Sequence, residues 1–194
     1  KGRLVLTSKN HDLSAASTNN LPSMYNISSR SSSLLTLNDL SNHFSGKYVV
    51  LDRQSIEINK NAFPMDKEHF FFLRYIYKGE EINKRLAFSD DTLIIDKKSL
   101  FTVDGNPIPG PENTSIKIFY RKGTESVFIN QFDLIFPDMK QLGRETKTIL
   151  DEIKDKPAKA KAGEVESYIS EFYGKIYRKN LTDWLNNNFG LRIE

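Results

Sequence analysis

Apolar and polar residues alternate in a strand-like way over residues 46–137, and a helical period replaces that alternation from Asp138 onwards. Tyr48-Val49-Val50-Leu51 and Ser55-Ile56-Glu57-Ile58 are rich in the branched and aromatic residues that favour strands. Two longer runs follow at 70–77 and 82–88, separated by Lys78-Gly79, where glycine supplies the positive φ of a hairpin turn. Residues 92–95 and 100–103 read as further strands, the latter closed by Asp104-Gly105. A second hairpin is predicted from 115–120 and 127–130 around Lys122-Gly123, with 132–136 continuing it after a bend. About eight short strands spaced roughly 8–12 residues apart have the rhythm of an antiparallel β-sandwich.

The helical part opens with Asp138 and Gln141 at capping-box spacing, followed by an apolar stripe of Met139, Leu142, Ile149, Leu150 and Ile153. Residues 156–163, with Pro157 and Gly163, are expected to break it. Val165, Tyr168, Ile169, Phe172, Tyr173, Ile176, Tyr177, Leu181, Trp184, Leu185 and Phe189 then recur at three and four. That spacing predicts one last helix over 164–189, about 39 Å long at ~1.5 Å per residue, with Gly174 as a kink. The expected fold is therefore α+β: a sandwich at 46–137 and a C-terminal two-helix hairpin at 138–194, packed on the sheet or on a partner. Ahead of them, residues 1–45 form a Ser/Asn-rich arm with eleven serines between 8 and 45. Leu34, Leu35, Leu37, Leu40 and Phe44 give that arm an apolar end that can dock.

Composition narrows the chemistry. The 194 residues hold 28 basic and 25 acidic side chains, a formal net charge of +3, and no cysteine. Thiol nucleophiles, cysteine-based zinc or iron–sulfur sites and disulfides are thereby excluded. Absence of cysteine suits an oxidising compartment, so the protein is expected outside the cytoplasm: periplasmic, secreted or surface-attached. The Asn-, Lys-, Ser- and Tyr-rich, cysteine-free composition resembles that of envelope proteins of AT-rich bacteria.

Motifs for catalysis are missing. Residues 105–110 carry P-loop glycine spacing, but Pro111-Glu112 stands where Lys and Ser/Thr must be. His11, His43 and His69 have no paired-histidine spacing, and Asp66 with His69 reads as a turn pair before a strand. Glu80-Glu81 and Asp90-Asp91 are sequence neighbours in turns, which do not face each other across a cleft. No GxSxG accompanies the serines. No metal, nucleotide or organic cofactor is expected, and no transmembrane segment.

Arg74, Arg85, Lys117 and Arg121 among aromatic strands raise the question of nucleic acid. Residues 46–137 hold 13 basic and 13 acidic side chains, however, so no nucleic-acid partner is expected and the aromatics read as core. The stripe on the last helix, Tyr168, Phe172, Tyr173, Tyr177 and Trp184, is the face expected to meet a protein partner or ligand, and Trp184 is expected to be largely buried by packing of that stripe on the chain's own sheet or on a second subunit. These features point to a non-catalytic extracytoplasmic binding or structural module of a bacterial envelope protein. A carrier with an apolar pocket between sheet and last helix is the alternative, as is a small hydrolase assembled from scattered Ser, His and Asp.

Overall fold

A computed structural model describes residues 36–110 and 115–193. The serine-rich part of the arm, with Leu34 and Leu35, lies outside the described residues. Among those described, the chain is mixed α+β, with eleven strands and five helices.

The docked end of the arm forms α1 (Leu37–His43), started by a capping box in which Thr36 and Asp39 bond each other's backbone N–H. β1 (Lys47–Val49) follows, then β2 (Arg53–Glu57), β3 (His69–Tyr77), β4 (Glu80–Arg85), β5 (Ala87–Ser89) and β6 (Thr92–Asp96). Both predicted hairpins form. β3 and β4 turn through Lys78 and Gly79, both at positive φ (52° and 75°), as a type I′ turn requires. β9 (Ser115–Lys122) and β10 (Glu125–Ile135) pair antiparallel through Gly123-Thr124, with Gly123 at φ 59°. β10 runs through the expected bend as one strand, with a bulge between Phe128 and Asn130. Residues 100–103 are not one strand. Asp96 accepts from Ser99 N at 2.9 Å and starts a single turn of helix, α2 (Lys97–Leu100). The short pair β7 (Thr102–Val103) and β8 (Asn106–Pro107) follows it.

The antiparallel sandwich is corrected by the sheet order. The main sheet has six strands, β11-β1-β10-β9-β3-β4, where β11 is Lys175–Ile176, and β1 lies parallel to both β10 and β11. A three-stranded sheet, β2-β6-β5, shares one core with it. The helical part differs too. α3 (Met139–Glu152) starts on Asp138, which accepts from Lys140 N and Gln141 N, while the Gln141 side chain turns to Glu145 instead of reaching back. Residues 158–163 continue as helix because Ala and Lys favour it enough to carry Gly163, giving α4 (Ala158–Phe172). The single long helix is broken at Gly174, and α5 (Arg178–Phe189) starts afresh after β11. The C-terminal part is thus three helices and a strand.

Alternation along β1 divides the interior in two. Tyr48 and Val50 enter the larger cluster with Leu40 and Phe44 of α1, Ile56, Leu93 and Ile95 of the small sheet, and Phe71, Leu73 and Ile118 of the main sheet. Val49 and Leu51 enter the second cluster with Leu142, Val165, Ile169, Leu181 and Leu185 of the three C-terminal helices. Buried tyrosines tie loops to the first cluster: Tyr75 donates to Leu100 O at 2.7 Å and Tyr120 to Pro64 O at 2.8 Å.

Gly174 makes the last pairing achievable. At φ 129° it adopts a conformation that side-chain-bearing residues avoid, and an added Cβ would sit 2.5 Å from Lys47 Cβ and 2.6 Å from Lys47 O. Gly174→Ala should therefore cost about 3 kcal/mol or more, from backbone strain and from displacing β11 off β1. Urea unfolding measures this; a loss below about 1 kcal/mol would show that the pairing tolerates a side chain.

Candidate functional site

The five residues predicted to share one helical stripe are dispersed by the break at Gly174. Tyr168 and Tyr173 pack on the second cluster, and Tyr173 Oη donates to Glu145 Oε2 of α3 at 2.7 Å. That bond holds the Glu145 carboxyl below its ordinary value, while burial and the carboxylate push the Tyr173 phenol up. Phe172 stands at the end of α4, 63% exposed, against the Tyr168 ring at 4.8 Å. Tyr177 lies away from these, edge-on to His43 at 5.5 Å. Trp184 is only half-buried, edge-on to Phe189 at 5.2 Å, beside a surface groove between β2 and α5.

His43 sits in a directed hydrogen-bond chain. Gln54 Nε2 donates to Tyr48 Oη at 2.8 Å, and Tyr48 Oη lies 2.6 Å from His43 Nε2. Since the amide uses the phenol as acceptor, the phenol proton is free to point at a neutral imidazole. Burial, and secondly the Lys175 ammonium, pull the His43 imidazole down to about 4. Burial pushes the Tyr48 phenol up. Gln54 Oε1 is buried without a partner, which is an added cost of the arrangement. The chain locks α1 to β1 and β2, and an imidazole held neutral in this way cannot supply a proton near pH 7. The other predicted turn pair is structural as well: Asp66 accepts from the backbone of Glu68 and His69 and from His69 Nδ1 at 3.0 Å. These bonds, chiefly the backbone ones, lower the Asp66 carboxyl. Among the described residues no three His, Asp or Glu side chains converge as metal ligands, and no helix is long and apolar enough to cross a membrane.

The largest departure from the sequence reading lies on the outer face of the main sheet. On β3, Phe71, Leu73 and Tyr75 point into the larger core, so Phe70, Phe72 and Arg74 point the other way. Register then aligns four side chains in one row. Phe72 is opposite Arg85 on β4 and Phe119 on β9, and Phe119 is opposite Phe128 on β10. Phe72 and Phe119 stack at 5.0 Å with 8° between planes, and Phe128 meets Phe119 edge-on at 5.5 Å. The neighbouring row holds Asn83, Arg74, Lys117 and Gln131.

Arginines cap these rings. Arg74 Cζ lies 4.7 Å from the Phe119 centroid while its Nε donates to Asn83 Oδ1 at 2.9 Å and contacts Glu81 Oε1 at 3.1 Å. Arg85 Cζ lies 4.3 Å over Phe70, with Nη2 donating to Asp66 O at 2.6 Å. Such cation–π contacts contribute ~0.5–2 kcal/mol each and fix both partners. Packing within the layer leaves Phe72 only 7% exposed although it belongs to neither core, whereas Phe128 remains 53% exposed. The aromatics read as core from sequence are thus partly a surface layer. Arg74, Arg85, Lys117 and Arg121 share that face with Glu81 and Asp133, and Asp133 lies opposite a fifth cation, Lys47 on β1.

Two measurements follow from these geometries. Phe72→Ala should cost about 2–3 kcal/mol, because it removes the ring on which the layer rests, and Phe128→Ala less than about 1 kcal/mol. Equal losses in urea unfolding would show that Phe128 is enclosed. For His43 the folded value of about 4 lies below the ordinary 6.5, so the unfolded chain binds more protons between them. Stability should be fully present above pH 6.5 and fall by on the order of 2 kcal/mol as pH drops through the folded value. The lowered carboxyls of Asp66, Asp138 and Glu145 act below their ordinary 3.8 to 4.5. His43→Gln should therefore flatten the stability profile between pH 4.5 and 6.5. An unchanged slope would contradict the network. No family model matches the chain, and no curated protein matches it in sequence.

Proposed function

We propose that the protein is a non-catalytic binding module, working outside the cytoplasm, that docks a protein partner on the open face of its main sheet. The observation that carries this reading is the row Arg85, Phe72, Phe119, Phe128 with its capping arginines. Protein interfaces are enriched at their centres in aromatic residues and arginine, and hot spots concentrate on them. Here the arginines are already held by Asn83, Glu81 and a backbone carbonyl, so little side-chain entropy remains to be lost on docking.

Charge specifies the partner further. Lys117 has no ion-pair partner among the described residues, and the face carries five cations, Lys47 included, against two carboxylates. It suits an apolar segment carrying Asp or Glu. Addition of a strand at the β4 edge is disfavoured by Glu80, Glu81, Lys84 and Arg85 along it. The absence of cysteine supports the extracytoplasmic assignment. A carrier would enclose its ligand, whereas two depressions of about 270 and 350 Å³ are open surface grooves.

A photoreactive benzoylphenylalanine placed at position 128 tests the proposal in cells that make the protein. A discrete protein adduct is expected from position 128, lost when Arg74→Glu is added, and not formed from position 147 on α3. No adduct from position 128, or one indifferent to Arg74→Glu, would overturn it.

A further inference from the structure

The groove between β2 and α5 lies apart from the aromatic face and has a different chemistry. Its volume is about 270 Å³, and Trp184, Asp183, Asn187 and Asn188 line it from α5 with Arg53 and Ser55 from β2. α5 places Trp184 one turn after Asn180 and one turn before Asn188, while Leu181 and Leu185 on the adjoining face enter the second core, against which Trp184 also packs. The floor is fixed. Asn180, in the orientation that satisfies both ends of its amide, donates to Arg53 O at 3.1 Å and accepts from Leu51 N at 3.3 Å. Lys179 is held by Glu57 at 3.3 Å. Asn188 Nδ2 donates to Trp184 O at 2.8 Å, which leaves its Oδ1 uncommitted.

What remains uncommitted defines the ligand. The side chains of Arg53, Asp183 and Asn187 make no hydrogen bond or ion pair among the described residues, and neither does the indole N–H of Trp184. A cation and a carboxylate therefore line one small groove without pairing with each other. Donors and acceptors are balanced, and the paired Lys179 adds no free charge, so neither a polyanion nor a polycation is matched. A neutral ligand bearing several hydroxyls is matched. Each hydroxyl can both donate to Asp183 and accept from Arg53, the amides can bridge neighbouring hydroxyls, and a carbon-bound face can rest on the indole. The volume lies just under the ~300–1,000 Å³ typical of sites for drug-sized molecules, which is room for one ring rather than several. We infer that the groove between β2 and α5 binds a neutral saccharide, one sugar ring at a time, against Trp184.

The chain has a single tryptophan, so its emission reports this groove alone. The full chain should be titrated with glucose, galactose, mannose, N-acetylglucosamine and cellobiose to 50-fold above the millimolar range typical of weak binding, ~1 mM. A saturable change in Trp184 emission is expected with at least one of them. Asp183→Ala and Arg53→Ala should each raise the dissociation constant at least tenfold while leaving thermal unfolding unchanged. The inference is overturned if no sugar of this panel gives a saturable change, or if the change survives both substitutions. It is equally overturned if inorganic phosphate or sulfate reproduces it where the sugars do not. The sheet-face proposal stands or falls separately, because position 128 is on another surface.

Discussion

The arrangement rests on three extended residues, Lys47–Val49, inserted parallel between β10 and the two-residue strand β11. Alternate side chains of this segment and of the residues just after it feed two separate cores, Tyr48 and Val50 on one face, Val49 and Leu51 on the other. A parallel neighbour that lies far along the chain brings its own connection, and here that connection is the helical part. Gly174 is the joint. It lets the chain leave α4 and lie against Lys47 so closely that no side chain fits between them.

From that anchoring follows where the helices stop. The second core gathers Val49, Leu51 and Ile176 with the helices, and Ile135 at the end of β10 packs against it. None of Phe70, Phe72, Phe119 or Phe128 belongs to it. The sheet's outer face is therefore covered at the β1 end by α3 to α5 and carries a different solution at the β3 and β4 end. There the rings stack on one another and under arginines, a layer that hides Phe72 yet leaves Phe128 half in water. One sheet thus carries a closed core on one side and both a core and an aromatic surface on the other.

Local chemistry made some of this legible in the sequence. The hairpins were readable because Lys78-Gly79 and Gly123 determine their turns within a few residues, and Asp138 marked the start of α3 in the same way. The parallel strands were not, because two or three residues give no period and their partners lie far along the chain. The break at Gly174 was masked since the residues in the gap preserve the three-and-four spacing from Tyr173 to Leu181. Phe70-Phe71-Phe72 is apolar on both faces, so alternation could not say which ring faces out; only the register with Phe119 and Arg85 does. Charge balance over residues 46–137 likewise hid the clustering of cations on one face. The groove at Trp184 depends on β2 meeting α5, which nothing in either segment announces.

Solvent access to the aromatic rings tests the central claim most directly, that one half of the sheet's outer face is open while its inner face is closed. Paramagnetic relaxation of ring protons by a soluble neutral spin probe, read by NMR on the full chain, distinguishes the two sides. The account predicts strong broadening at Phe128, weaker broadening at Phe70 and Phe119, and none at Phe71, Tyr48 or Phe44, which are buried in the larger core. Protection of Phe128 equal to that of Phe71 would contradict it.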